Sequence, residues 1–101
     1  MENKQIIEKI LADTQALMTL KVDNEEVVKD KFRQIRDRVN QLTNSATPQN
    51  EAYGKASALI QAAMEEEYRQ FDELTNYEQK EQVLIQLRHK AAEVCELLQT
   101  A

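Results

Sequence analysis

The stretch Val22-Asp23-Asn24-Glu25-Glu26-Val27-Val28-Lys29-Asp30-Lys31-Phe32-Arg33-Gln34-Ile35-Arg36-Asp37-Arg38-Val39-Asn40-Gln41-Leu42-Thr43 decides the fold. Val28, Phe32, Ile35, Val39 and Leu42 recur in steps of four and three, the spacing that gathers apolar side chains into one seam of an α-helix. Every residue between them is charged or carries an amide, so only one face seeks burial. A half-buried strand would alternate with period two, and this run does not. The start of the run is also marked. Asp23 is a favoured N-cap type, Glu26 three positions on completes a capping box, and Val22 and Val27 occupy the two places of a hydrophobic staple. The spacing predicts a helix over 24–43, ended by Thr43-Asn44-Ser45-Ala46, whose polar side chains compete with the helical backbone.

The same period extends to both sides. Ile7, Ile10, Leu11, Thr14, Leu17 and Met18 predict a helix over 4–20 with that face inward. Thr47-Pro48 restarts the chain with a capping residue and a proline at the first helical position, where the missing N–H costs nothing. A helix over 48–74 follows, with Tyr53, Ala56, Ile60, Ala63, Met64, Phe71 and Leu74 inward. Thr75 and Glu78 form a second capping box, which places a break at Leu74-Thr75. A helix over 76–99 carries the seam Leu84, Leu87, Ala91, Val94 and Leu98. Short connections between such helices predict an all-α, antiparallel, up-down-up-down four-helix bundle occupying residues 1–101 as a single domain. If the chain runs straight through Thr75, the fallback is three helices with a long last arm that seeks a partner chain.

Composition agrees. The 101 residues include one Gly and one Pro, too few for the tight turns of a β-rich fold. Residues 1–47 hold eight Lys/Arg and eight Asp/Glu, net zero, whereas residues 48–101 hold five and ten, which accounts for the net charge of -5. Nucleic-acid binding draws on an excess of cations, so that class is disfavoured. No apolar run approaches membrane-spanning length and the first residues lack a signal-peptide core, which together imply a cytoplasmic protein with no direct membrane insertion.

Chemistry-bearing residues are scarce. Cys95 is the only cysteine and His89 the only histidine. His89 points away from the helical seam on which Cys95 borders, so a Cys–His nucleophile pair is not expected. The Glu-x-x-His pairs of di-iron bundles are missing, because Gln86 precedes His89 by three. A phosphotransfer histidine is expected in a His-x-x-Lys-Gly setting, and His89-Lys90-Ala91-Ala92-Glu93 departs from it at both positions. No catalytic, cofactor-binding or metal-ligating set is therefore expected, and no cofactor.

Two charges interrupt apolar stripes: Glu67 in the third helix and Lys80 in the fourth. A hairpin at Thr75 brings them within about a turn of each other, which predicts a structural ion pair with packed aliphatic stems. The residues placed to meet a partner are Lys29, Arg33 and Arg36 on one edge of the second helix, Glu65 and Glu66 on the third, and Ile85, His89 and Leu97 on the fourth. The basic edge of the second helix and the acidic Glu65, Glu66, Glu67, Asp72 and Glu73 of the third equally suit pairing with each other within the bundle or across a homodimer. Ile85, His89 and Ala92 form a small outward patch.

In length, in the opening Asn3-Lys4-Gln5-Ile6-Ile7, in the Asn24-Glu25-Glu26 start of the second helix and in the Pro48 start of the third, the chain resembles the bacteriocin immunity proteins of Gram-positive bacteria. The family would imply a cytoplasmic protein that blocks a toxin through a partner at the membrane. Two features depart from it: the acidic charge and the lack of an extended tail after the fourth helix. Two further expectations come from the residues alone: an adaptor or chaperone-like subunit of a phage or secretion system, and a self-associating structural bundle. In each case the partner is another protein or a second copy of the chain.

Overall fold

The computed structural model describes residues 3–45 and 50–99. Helix α1 is Asn3–Thr19 and α2 is Glu25–Ser45, joined through a 3-10 turn at Val22–Asn24. Helix α3 covers residues 51–73: an α-helical stretch Glu51–Ala63, a π-helical turn Met64–Tyr68 and a final α-helical stretch Arg69–Glu73. Helix α4 is Tyr77–Gln99. The chain is all-α, and the break at Leu74 is real: Leu74 is extended, with φ -67° and ψ 146°.

Each helix packs on two neighbours, α1 on α2, α2 on α3, α3 on α4 and α4 back on α1, closing a four-helix bundle 44 × 21 × 18 Å in extent. Contacts between α2 and α3 run in opposite chain order, from Lys29–Asp72 through Arg33–Tyr68 to Asn40–Gln61. Val28, Phe32, Ile35, Val39 and Leu42 are all completely buried, as their spacing predicts. Ile10 and Leu17 meet them from α1, Ile60 and Phe71 from α3, and Leu84, Leu87 and Val94 from α4.

The helix starts differ from expectation. Asn50 and Asn76 cap the third and fourth helices: Asn50 Oδ1 accepts the N–H groups of Ala52 and Tyr53 at 2.9 and 3.4 Å, and Asn76 Oδ1 accepts that of Gln79 at 3.0 Å. Before α2, Asn24 instead closes the 3-10 turn, its Oδ1 reaching back to the Lys21 N–H at 3.3 Å. Asp23 lies within that turn, and Thr75 lies one residue before the cap of α4. Asn and Thr are both competent caps. The 3-10 entry also leaves Val27 46% exposed while Val22 is buried, so no buried staple forms. The Thr47-Pro48 start lies outside the described residues.

The π turn has a plain geometric effect. Ala63 and Phe71 are both fully buried and eight positions apart, about 80° out of phase on a straight α-helix. A turn closed by i→i+5 bonds holds an extra residue and removes that offset.

Candidate functional site

The expected Glu67–Lys80 pair is corrected. Lys80 is buried, but its carboxylate partner is Glu25, with Nζ 2.7 Å from Oε1. Lys80 Nζ also donates to the Phe71 carbonyl and lies 4.8 Å from the centre of the Phe71 ring. Glu67 has a buried Oε2 with no hydrogen-bond partner. Glu25, at the start of α2, supplies the carboxylate that Glu67 was expected to provide.

Of the two expectations for the basic edge of α2, a partner contact or pairing with the acidic α3 inside the bundle, Lys29 follows the second. Lys29 is buried and held by Asp72 at 2.7 Å, Glu26 at 3.2 Å and Glu25 at 3.6 Å, so it faces its own bundle and not a partner. These contacts hold the Lys29 ammonium above its usual value and the Asp72 carboxyl below its own. Arg33 donates to the Tyr68 hydroxyl at 2.9 Å, and the Tyr68 ring stacks on Phe32. Arg36 pairs locally with Asp37 at 2.9 Å. Glu65 and Glu66 are exposed in the π turn.

On α4 the residues separate into two settings. Cys95 is buried and its Sγ donates to Thr14 Oγ1 at 3.2 Å; burial pushes its thiol up, against the smaller opposing effect of that hydrogen bond. His89 is exposed on the other side of the helix, so thiol and imidazole face different surroundings. Leu97 packs half-buried against the core, not on the outward patch. No group of three or more potential metal ligands occurs among the described residues. No helix of the described residues is long and apolar enough to cross a membrane.

What the structure does bring together is a groove along α4, bordered by Met18 of α1 and by Lys21 and Val22 just after it. Its wider part, about 440 Å³, is lined by Met18, Ile85, Arg88, His89, Ala92, Glu93 and Glu96. A continuation of about 360 Å³ runs past Lys21, Val22, Tyr77, Glu81 and Leu84, sharing Ile85 and Arg88 with the first part. From Tyr77 to Glu96 the strip follows α4 for about 28 Å at the rise of an α-helix. Of the four exposed large apolar side chains among the described residues (Met18, Val27, Tyr77 and Ile85), three lie on it.

The groove owes its form to Arg88. The guanidinium donates to the Leu17 carbonyl at 3.4 Å, which also accepts the Leu20 N–H at 3.3 Å, and to the carbonyl of Leu20, just past the end of α1. A cation there also meets the negative end of the helix dipole. Arg88 thus ties the C-terminal end of α1 to α4. Sequence reasoning found Ile85, His89 and Ala92 but placed Met18 inward and passed over Tyr77 and Arg88. Helical period assigns a side, and only the crossing of two helices makes a groove. No family model matches the chain, and no curated protein or solved structure does.

Proposed function

We propose that this chain is a non-catalytic helical bundle that binds another protein through the α1–α4 groove. The observation carrying it is the concentration of exposed apolar side chains, Met18, Tyr77 and Ile85, along one concave strip beside charged rims. A solvent-facing surface with no partner gains nothing from such a grouping, and contiguous apolar patches mark contact sites. The separation of His89 from the buried Cys95 supports a binding role over nucleophilic catalysis. Acidic charge favours protein over nucleic acid, and a free, buried Cys95 suits residence in the cytoplasm.

A photo-crosslinking residue at Ile85, with a second at Glu65 as control, tests the reading in cells that express the protein. The expected result is a discrete protein adduct from position 85 and none from position 65. Equal adducts from both, or none from either, would remove the groove as a contact site. Immunity of the bacteriocin type is a narrower form of the same proposal. It requires that expression protect bacteriocin-sensitive cells, and that Ile85→Asp cancel the protection.

A further inference from the structure

The groove has a charge pattern as well as an apolar floor, and the pattern selects its occupant. Glu93 and Glu96 line one end, and Glu81 lines the other with Asp23 close to the Tyr77 hydroxyl. Glu81, Glu93 and Glu96 form no ion pair within the described residues, whereas the guanidinium of Arg88 is occupied by the carbonyls of α1. Arg88, which keeps its charge while neutral carbonyls take up its donors, and Lys21 stand on the lining against these three carboxylates. The strip therefore offers an apolar centre, at Met18 and Ile85, between carboxylates that form no ion pair within the described residues.

Resting on the reading of this groove as a protein-contact site, we infer that its occupant is an amphipathic α-helix of a different protein, with a short apolar face flanked by lysine or arginine. The length fits a helix of about five turns laid along α4. Apolar anchors spaced one turn apart sit over Met18 and Ile85, and basic side chains on either flank meet Glu93 and Glu96 at one end and Glu81 at the other. A second copy of this chain fits poorly. Antiparallel pairing of two α4 strips sets Glu93 and Glu96 of one copy within about a turn of Glu78 and Glu81 of the other, and parallel pairing sets each carboxylate against itself. Like charges so placed oppose association.

The test uses the full chain and three synthetic 18-residue helical peptides. One carries leucines at one-turn spacing flanked by lysines, the second the same leucines flanked by glutamates, and the third the lysines with serine in place of leucine. Fluorescence anisotropy is expected to show binding of the first alone, weakened about tenfold by the double change Glu93→Lys, Glu96→Lys and unchanged by Glu65→Gln, Glu66→Gln. Ile85→Asp is expected to abolish it, with unchanged helicity by circular dichroism showing that the variant folds. Equal binding of the lysine and glutamate peptides, both lost on Ile85→Asp, would overturn the charge assignment while leaving the groove a protein site. Binding that follows Glu65 and Glu66 as closely as Glu93 and Glu96 would reduce it to general attraction and overturn the assignment. Self-association in light scattering, relieved by Ile85→Asp, would make a second copy the occupant. No binding by any peptide, with Ile85 also silent in crosslinking, would overturn both readings.

Discussion

Lys80 Nζ stands 2.7 Å from Oε1 of Glu25, a carboxylate 55 positions earlier in the chain, while the same ammonium donates to the carbonyl of Phe71. The contact ties the start of α2 to the hairpin between α3 and α4, so three elements share one buried charge. Lys80→Met should cost about 1–3 kcal/mol, below the full figure for a buried pair because Glu25 is partly exposed. In double-mutant cycles Lys80 should couple to Glu25 and combine additively with Glu67, as urea melts of the single and double variants would show. Coupling of Lys80 to Glu67 in place of Glu25 would contradict the geometry.

Glu67 presents a buried oxygen with nothing to bond to. Replacing such a group with an apolar one of similar size removes a desolvation cost. Glu67→Met should therefore stabilise by about 1 kcal/mol, a rise in Tm of about 5 °C for a domain of this size. A fall in Tm by calorimetry would mean that the carboxylate has a partner.

The Asp72–Lys29 contact makes stability depend on pH at both extremes. Its hydrogen bond to Lys29 holds the Asp72 carboxyl below the ordinary 3.8, so its contribution is present above that value and lost as pH falls through the lower, folded one. Lys29 is held above the ordinary 10.5, chiefly by Asp72, so its contribution is present below that value and lost as pH rises through the higher, folded one. Asp72→Asn should lower the urea midpoint by a constant amount across neutral pH. That difference should close in strong acid, where the parent carboxylate is itself protonated.

Cys95 is enclosed by α1 and bonded to Thr14, and burial disfavours its thiolate. Alkylation by iodoacetamide should be about a hundredfold slower in the folded chain than in urea, because the reagent must await opening of the bundle. A rate equal to that of the unfolded chain would place the thiol at the surface.

Arg88→Met should cost about 1–2 kcal/mol, since it leaves the Leu20 carbonyl without its donor, takes one of two donors from the Leu17 carbonyl and removes a charge from the end of α1. Faster amide exchange in the last turn of α1, relative to the middle of α2, would locate the loss there. Uniform acceleration across the bundle would not.

The four helices were legible because burial of one face imposes a period on the residues themselves, and Phe32, Ile35, Val39 and Leu42 show it without reference to any neighbour. The same holds for the break after Leu74, written in residues that cap helices. Thr75 and Asn76 are adjacent and both competent caps, so the residue types alone do not choose between them; in the fold it is Asn76 that accepts the Gln79 N–H. Partners of charge lay further from reach. Nothing local joins Lys80 to Glu25, or Arg88 to the carbonyls of α1, because electrostatic partners are set by where helices cross, and period says nothing about crossings. The groove is of the same kind. Ile85 could be read as outward from α4 alone, but Met18 became its neighbour only when α1 lay down beside it.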